Sequence, residues 1–443
     1  MLQVNVSFPS GSGETLQLPE HSKVGDLRLL AHQTFGKGFL KLVTFEGHVL
    51  TNPEDSLQAA GVQDGEHITA VAQRANLAAT TEAFALWCCG GSRVVTWGNP
   101  HRGGHCSAVQ DQLKKVQQIQ ATSGAFAAIL ANGSAVSWGD PHCGGDCSAV
   151  QDQLKNVQQI QATSCAFAAI LADGFVVTWG DPRFGGDCSA VQDQLKNVQQ
   201  IQATAWVFAA ILANGSVVTW GDPDTHGGTG VQDQLKNVQQ IQATDSAFAA
   251  ILANGSVVTW GDPDTGGDCT GAQDQLKNVQ QIQATFCAFA TILADGSVVA
   301  WGHPIQGGDC SAVQDQLRNV QQIQATYYAF AAILAEGSVV TWGNPRYGGD
   351  CSAVQDQLKK VQQIQATSGA FAAILAEGSV VSWGDPHYGG DCSAVQDRLK
   401  NVQQIQATGA AFAAILADGS VVAWGNAEIG GDCFAVQDQL RYL

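Results

Sequence analysis

Leu2, Val4, Val6 and Phe8 alternate with polar residues at the start of the chain, the period of a strand that lays one face on a core. A Pro-Ser-Gly-Ser-Gly turn follows, and Leu16 and Leu18 resume the alternation, which predicts a hairpin. After Ser22, a candidate N-cap, Val24, Leu27, Leu30 and Ala31 recur at helical intervals and mark one face of a helix. Strand patterns return from Leu40 to Phe45 and from His67 to Val71, the latter with Ile68 and Ala70 inward, and Gly47 makes a turn between them. The order strand, strand, helix, strand, short elements, strand predicts a small α+β domain of β-grasp type over residues 1–74.

Beyond residue 74 the pattern becomes periodic. Nine runs of about 41 residues each close on Trp-Gly, at Trp97, Trp138, Trp179, Trp220, Trp260, Trp301, Trp342, Trp383 and Trp424. In the unit beginning at Val157, Ile160 and Ala162 fall on one face of a strand, and the apolar run AFAAILA reads as a strand buried on both sides. Asp173-Gly174 predicts a tight two-residue hairpin with positive φ angles, and Phe175 to Trp179 a third strand with Val177 and Trp179 on one face. Asp-Pro and Gly-Gly then turn the chain. In the following SAVQDQLKN segment, Ser148 and Gln151 have capping-box spacing, so one or two helical turns compete with a fourth strand. Units of this length cannot bury their faces alone and must stack. Residues 75–443 are therefore expected to be mainly β, either a closed propeller of nine blades or an open spiral.

Composition narrows the partners. A net charge of -18 and only 21 basic residues against 39 acidic ones disfavour nucleic acid and anionic membranes. No apolar run approaches the ~20 residues that span a bilayer, and the amino terminus lacks a basic region followed by an apolar one. A soluble protein of the cytoplasm or nucleus is expected. Eight of the 13 cysteines occupy one repeated position (Cys106, Cys147, Cys188, Cys269, Cys310, Cys351, Cys392 and Cys433) and read as small packing residues in a reducing compartment.

The segments LVTFEGHVL (42–50) and SLQAAGVQDGEHITAVAQ (56–73) resemble ubiquitin. The chain continues through Arg74, Ala75 and Asn76 with no Gly-Gly terminus, so the resemblance implies a built-in ubiquitin-like domain. Its recognition patch would centre on Thr44, flanked by Thr69 and Val71, and its partners would be ubiquitin or proteasome receptors. The line AFAAILADGSVVTWG, preceded by IQAT, resembles the repeat of the regulator of chromosome condensation family, with the short-repeat bacterial β-lactamase inhibitor nearest in period. The resemblance implies β-propeller blades, although Thr163, Ala166 and Pro182 replace the family's Gly, His and Asn.

Two dipeptides per unit vary while their surroundings barely change. One lies between IQAT and AF, the other follows Asp-Pro or Asn-Pro. In an antiparallel meander both loops emerge at the same end, which gathers Trp206, Phe286, Tyr327, Tyr328, Phe184, Tyr347 and Tyr388 with Arg102, Arg183 and Arg346. Such residues dominate protein interfaces, so this face is the expected site for a protein partner. The recurring carboxylates of Gly-Gly-Asp (Asp146, Asp187, Asp309, Asp350) suit turns better than catalysis, which works through a singular environment. His142, Cys143 and Cys147 could hold zinc only with outside ligands, and vicinal Cys88-Cys89 reads as packing. No enzyme activity, catalytic residue, metal or cofactor is expected. The leading expectation is a non-enzymatic scaffold or adaptor linked to the ubiquitin pathway. The family resemblance also implies guanine-nucleotide exchange on a small GTPase, or a non-catalytic part of a ubiquitin ligase related to those joining HECT domains and such repeats.

Overall fold

The computed structural model describes residues 1–37, 39–88, 91, 93–222 and 231–441. Cys89, and the variable segment from Asp224 to His226, lie outside them.

Near the amino terminus, β1 (Leu2–Ser7) pairs antiparallel with β2 (Gly13–Leu18). The helix α1 (Val24–Phe35) follows, then β3 (Leu40–Thr44) and β4 (Glu66–Ala72). The sheet order is β2-β1-β4-β3, with β1 and β4 parallel. Val24, Leu27 and Ala31 bring one face of α1 onto Val4, Val6, Leu42, Ile68 and Ala70 in a single core. Ser22 does not cap the helix. The N-cap is Lys23, whose backbone N–H donates to the Asp26 carboxylate at N3 at 2.8 Å, the return half of a capping box.

The repeats form nine three-stranded antiparallel sheets, here called blades 1 to 9. In blade 3 the inner strand is Val157–Ala162, the middle strand Ala166–Leu171 and the outer strand Val176–Gly180. The inner strand carries a bulge between Val157 and Gln159, which lets Val157 and Ile160, three apart, both face the core. The Asp173-Gly174 turn is not the two-residue hairpin expected. Leu171 N–H donates to Phe175 O and Gly174 N–H to Leu171 O, and of the two turn residues only Gly174 has positive φ (79°), so the loop has three residues.

Among the described residues the segments after the outer strands make short 3-10 turns, such as Ser148–Val150, and form no fourth strand. Gln151 does not form a capping box with Ser148. It accepts from the Cys147 thiol at 3.3 Å and donates to Ala135 O at 3.0 Å, while Asp146 accepts from the Ser148 N–H. Six of the repeated cysteines, Cys147, Cys188, Cys269, Cys310, Cys351 and Cys392, are thus buried donors in a Cys-Gln-strand tie, whereas Cys433 accepts from Gln437 Nε2 at 3.0 Å. Burial raises the thiol pKa of Cys188, Cys269, Cys310 and Cys351. Hydrogen bonds from Ser148, Ser189, Ser311 and Ser352 lower the pKa of Asp146, Asp187, Asp309 and Asp350, as befits acceptors at turns.

Cores lie between blades. The small face of one blade's middle strand (Ala329, Ala331, Ile333) meets the large face of the next blade (Phe371, Ala373, Trp383). Within a blade the buried Phe stacks on the Trp, as Phe330 does on Trp342 at 5.1 Å. Eight junctions among the described residues also have a Trp donor, for example Trp138 Nε1 to Gly103 O of the preceding unit. Trp97 of blade 1 makes the same bond to Gly430, at the far end of the chain, and Phe84, Trp97, Ala411, Ala413 and Ile415 share one core. The sheets therefore close into a propeller-like ring, beyond the usual four to eight blades, and the open spiral is excluded. Phe39, just before β3, enters this closing core.

Each inner strand from blade 2 on is preceded by a residue in left-handed conformation, Asn in six blades and Lys115 or Lys360 in two, all with φ of 55 to 57°. Asn tolerates this region far better than Lys. Lys360→Asn is expected to raise unfolding stability by about 0.5–1 kcal/mol, read as a higher urea midpoint at unchanged slope.

Candidate functional site: the variable rim

The inner strands end together at one mouth of the ring, where a circuit of backbone hydrogen bonds passes from blade to blade. Thr81, Ser123, Ser164, Ala205, Asp245, Phe286, Tyr327, Ser368 and Gly409 each donate N–H to the carbonyl of the next, and Gly409 returns to Thr81, at 2.9–3.3 Å. Because only main-chain atoms make these bonds, the side chain at each step is free to vary. Together these residues and the preceding threonines line a cavity of about 530 Å³. The threonines anchor the second variable loop to the first: Thr122, Thr163, Thr326 and Thr367 donate from Oγ1 to Cys143, Phe184, Tyr347 and Tyr388 carbonyls. Both loops therefore share one rim, as strand order requires.

The second variable loop of one blade packs on the first variable loop of the next. Phe184 stacks on Trp206 with ring centroids 4.3 Å apart. Cys143 and Cys165 bring their sulfurs into contact across the same kind of junction. A Cβ on Gly124 would lie 2.7 Å from Arg102 Nη1, and one on Gly369 would meet both Tyr347 and Tyr388 within 2.9 Å. All four pairs span a separation of 22 residues, and each matches bulk against space or like with like. The two dipeptides are coupled, which reading each unit by itself does not reveal; the fixed offset with complementary sizes is the signal that does.

The arginines are engaged within the ring. Arg102 and Arg346 pair with Asp140 and Asp385 of the next blade at 3.2 and 2.8 Å, and Arg183 turns back onto Asp181 of its own loop at 2.8 Å. The Arg183 pairing holds the Asp181 carboxyl below the usual range.

Five of the seven aromatics form one sector over blades 6 to 8. Phe286 lies 5.4 Å from Tyr327 and 6.5 Å from Tyr328, Tyr328 is 4.7 Å from Tyr347, and Tyr347 is 6.1 Å from Tyr388. Phe286 and Tyr327 are 36% and 42% exposed, whereas Tyr328, Tyr347 and Tyr388 are half-buried and support them. The aromatic pair Phe184 and Trp206 sits apart, on blades 3 and 4, and is also half-buried.

On the amino-terminal sheet, Thr44 is buried, its backbone N–H and its hydroxyl engaged with His48, and it faces inward with Leu40 and Leu42. A strand's side chains change face at every step, so the outward position is its neighbour Val43, paired with Thr69 and bridged to Val49. Thr69 and Val71 lie on that outer face as expected, Val71 at 38% exposure. Thr44 is thus not part of the exposed patch.

No family model matches the chain, and no curated protein does. Among solved structures it is similar to yeast RCC1 (Prp20) bound to Kap60, at 16% identity and a TM-score of 0.43, covering 77% of this chain and 88% of that one. It is similar to Prp20p from Saccharomyces cerevisiae at 16% identity and a TM-score of 0.42, covering 75% and 91%. A ubiquitin-like domain of an Arabidopsis thaliana protein matches at 20% identity and a TM-score of 0.15, covering 16% of this chain and 76% of that one. No described helix is long and apolar enough to cross a membrane.

Proposed function

We propose that the protein is a non-enzymatic interaction scaffold whose variable rim binds a protein partner. The observation that supports this most is the continuous aromatic sector, in which half-buried tyrosines brace the exposed Phe286 and Tyr327. Rings held from behind lose little freedom on binding and bury much area, which is the anatomy of a hot spot. The ring beneath is rigid, closed by core and main chain, so the rim is presented without rearrangement. Residues 1–74 belong to the same proposal as a ubiquitin-like docking module that couples the scaffold to ubiquitin or proteasome receptors. The strand order β2-β1-β4-β3 and the outward Val43, Thr69 and Val71 support that role.

Affinity capture with the full chain tests the reading. Phe286→Ala with Tyr327→Ala is expected to weaken the rim partner at least about 30-fold, the effect of one hot spot worth about 2 kcal/mol. Val43→Asp should instead release only partners of the amino-terminal domain. Partners that survive both changes at undiminished affinity would remove the scaffold reading.

A further inference from the structure

We infer that the mouth between blades 5 and 7 binds a basic peptide segment, seating an arginine side chain against Phe286 and Tyr327 and facing Asp245. The inference rests on the rim reading above and gives its partner a chemistry. Asp245, Phe286 and Tyr327 are consecutive steps of the main-chain circuit, so a carboxylate and two exposed rings stand side by side at the mouth. Phe286, Tyr327 and Tyr328 form a triangle of rings with centroids 5.4, 6.1 and 6.5 Å apart. Their planes are tilted by 42, 89 and 53°, so they do not stack flat on one another. Aromatic faces attract cations, and a guanidinium can stack on a ring while donating to a carboxylate.

The described charges that act on Cys287 in this sector are all negative, while Arg346, 5.7 Å over the Tyr347 ring, is paired with Asp385. Cys287, next to Phe286, has its thiol pushed up to about 11 by burial and then by the fields of Asp245, Asp262 and Asp264. Burial also raises the Asp245 carboxyl even though it accepts from the Ser246 hydroxyl at 3.0 Å, so an incoming cation would add charge compensation that solvent does not supply. The rim arginines lie elsewhere or are engaged: Arg102 and Arg183 belong to blades 1 and 3, and Arg346 is tied to Asp385. With a net charge of -18 on the whole chain, approach of a basic segment is favoured from every side, and the rings and Asp245 would select where it docks.

The test is fluorescence anisotropy at 0.15 M salt with a labelled peptide of alternating arginine and glycine, using the full chain. Phe286→Ala with Tyr327→Ala is expected to weaken binding about tenfold without changing net charge. Asp245→Asn is expected to weaken it severalfold, whereas Tyr327→Phe, which keeps the ring, should retain it. Urea midpoints of the alanine pair and of Asp245→Asn that match the wild type separate lost binding from misfolding. Equal affinity of the wild type and the double alanine variant would reduce the effect to general charge attraction and overturn the inference. Absence of binding to the wild type would overturn it too. Should the alanine pair abolish partner capture while the peptide binds neither protein, the rim reading stands and this inference falls.

Discussion

Phe84→Ala is expected to destabilise the chain by about 3–5 kcal/mol, as much as Phe330→Ala, although one residue lies near the start of the repeats and the other in their interior. Both rings are fully buried. Phe330 sits between blades 6 and 7, against the small face of Ala288 and Ala290. Phe84 has no preceding blade in sequence, and its neighbours are Ala411 and Ala413 of blade 9. In a ring the two sites are equivalent, whereas in a spiral Phe84 would lie at an end and its loss would cost far less. Urea unfolding of the two variants compares them directly, and a Phe84→Ala cost under about 1 kcal/mol would contradict closure.

Gly307→Ala is expected to cost at least about 3 kcal/mol, a large effect for one added methyl group. Gly307 has φ of 101°, and a Cβ there would stand 2.6 Å from the Phe330 ring. Two penalties add: a backbone conformation that side chains rarely adopt, about 1–2 kcal/mol, and an overlap inside a close-packed junction. Gly11 separates them. It has φ of 92° with nothing within 4 Å of the added carbon, so Gly11→Ala should show only the backbone part, about 1–2 kcal/mol. Thermal or urea unfolding of both variants measures the difference, and equal losses would show that the junction yields to the methyl group.

Much of this architecture is legible in the residues. The Trp-Gly period marks the blades, and the continuous run AFAAILA marks a strand buried on both faces, as Phe126 and Ala127 on opposite sides of one strand confirm. Patterns that depend on register were harder. The bulge after Val157 adds a residue, so a strict two-residue period misplaces the inner strand's faces, and a one-residue offset on β3 put Thr44 outward when Val43 is. Capping depends on where the helix starts, and the N-cap is Lys23, one residue past Ser22, with Asp26 accepting from its N–H.

The rim shows the same division. Its position follows from strand order, and all ten residues expected there do lie on the two loops. Their grouping does not follow, because it depends on which loop of one unit meets which loop of the next. Phe184 and Trp206 pair across a blade boundary, apart from the five-ring sector, and Asp245 became important only once the circuit placed it beside Phe286.

That circuit has an electrostatic consequence. Nine amide pairs run head to tail in one rotational sense around the mouth, so their dipoles are tangential and sum to nearly zero. A helix terminus, with its dipoles aligned, offers a fixed sign to any ligand. This mouth has none from its backbone. Whatever charge it presents is written by side chains alone, so exchanging a single residue such as Asp245 can reverse the preference of the opening while every main-chain bond stays in place.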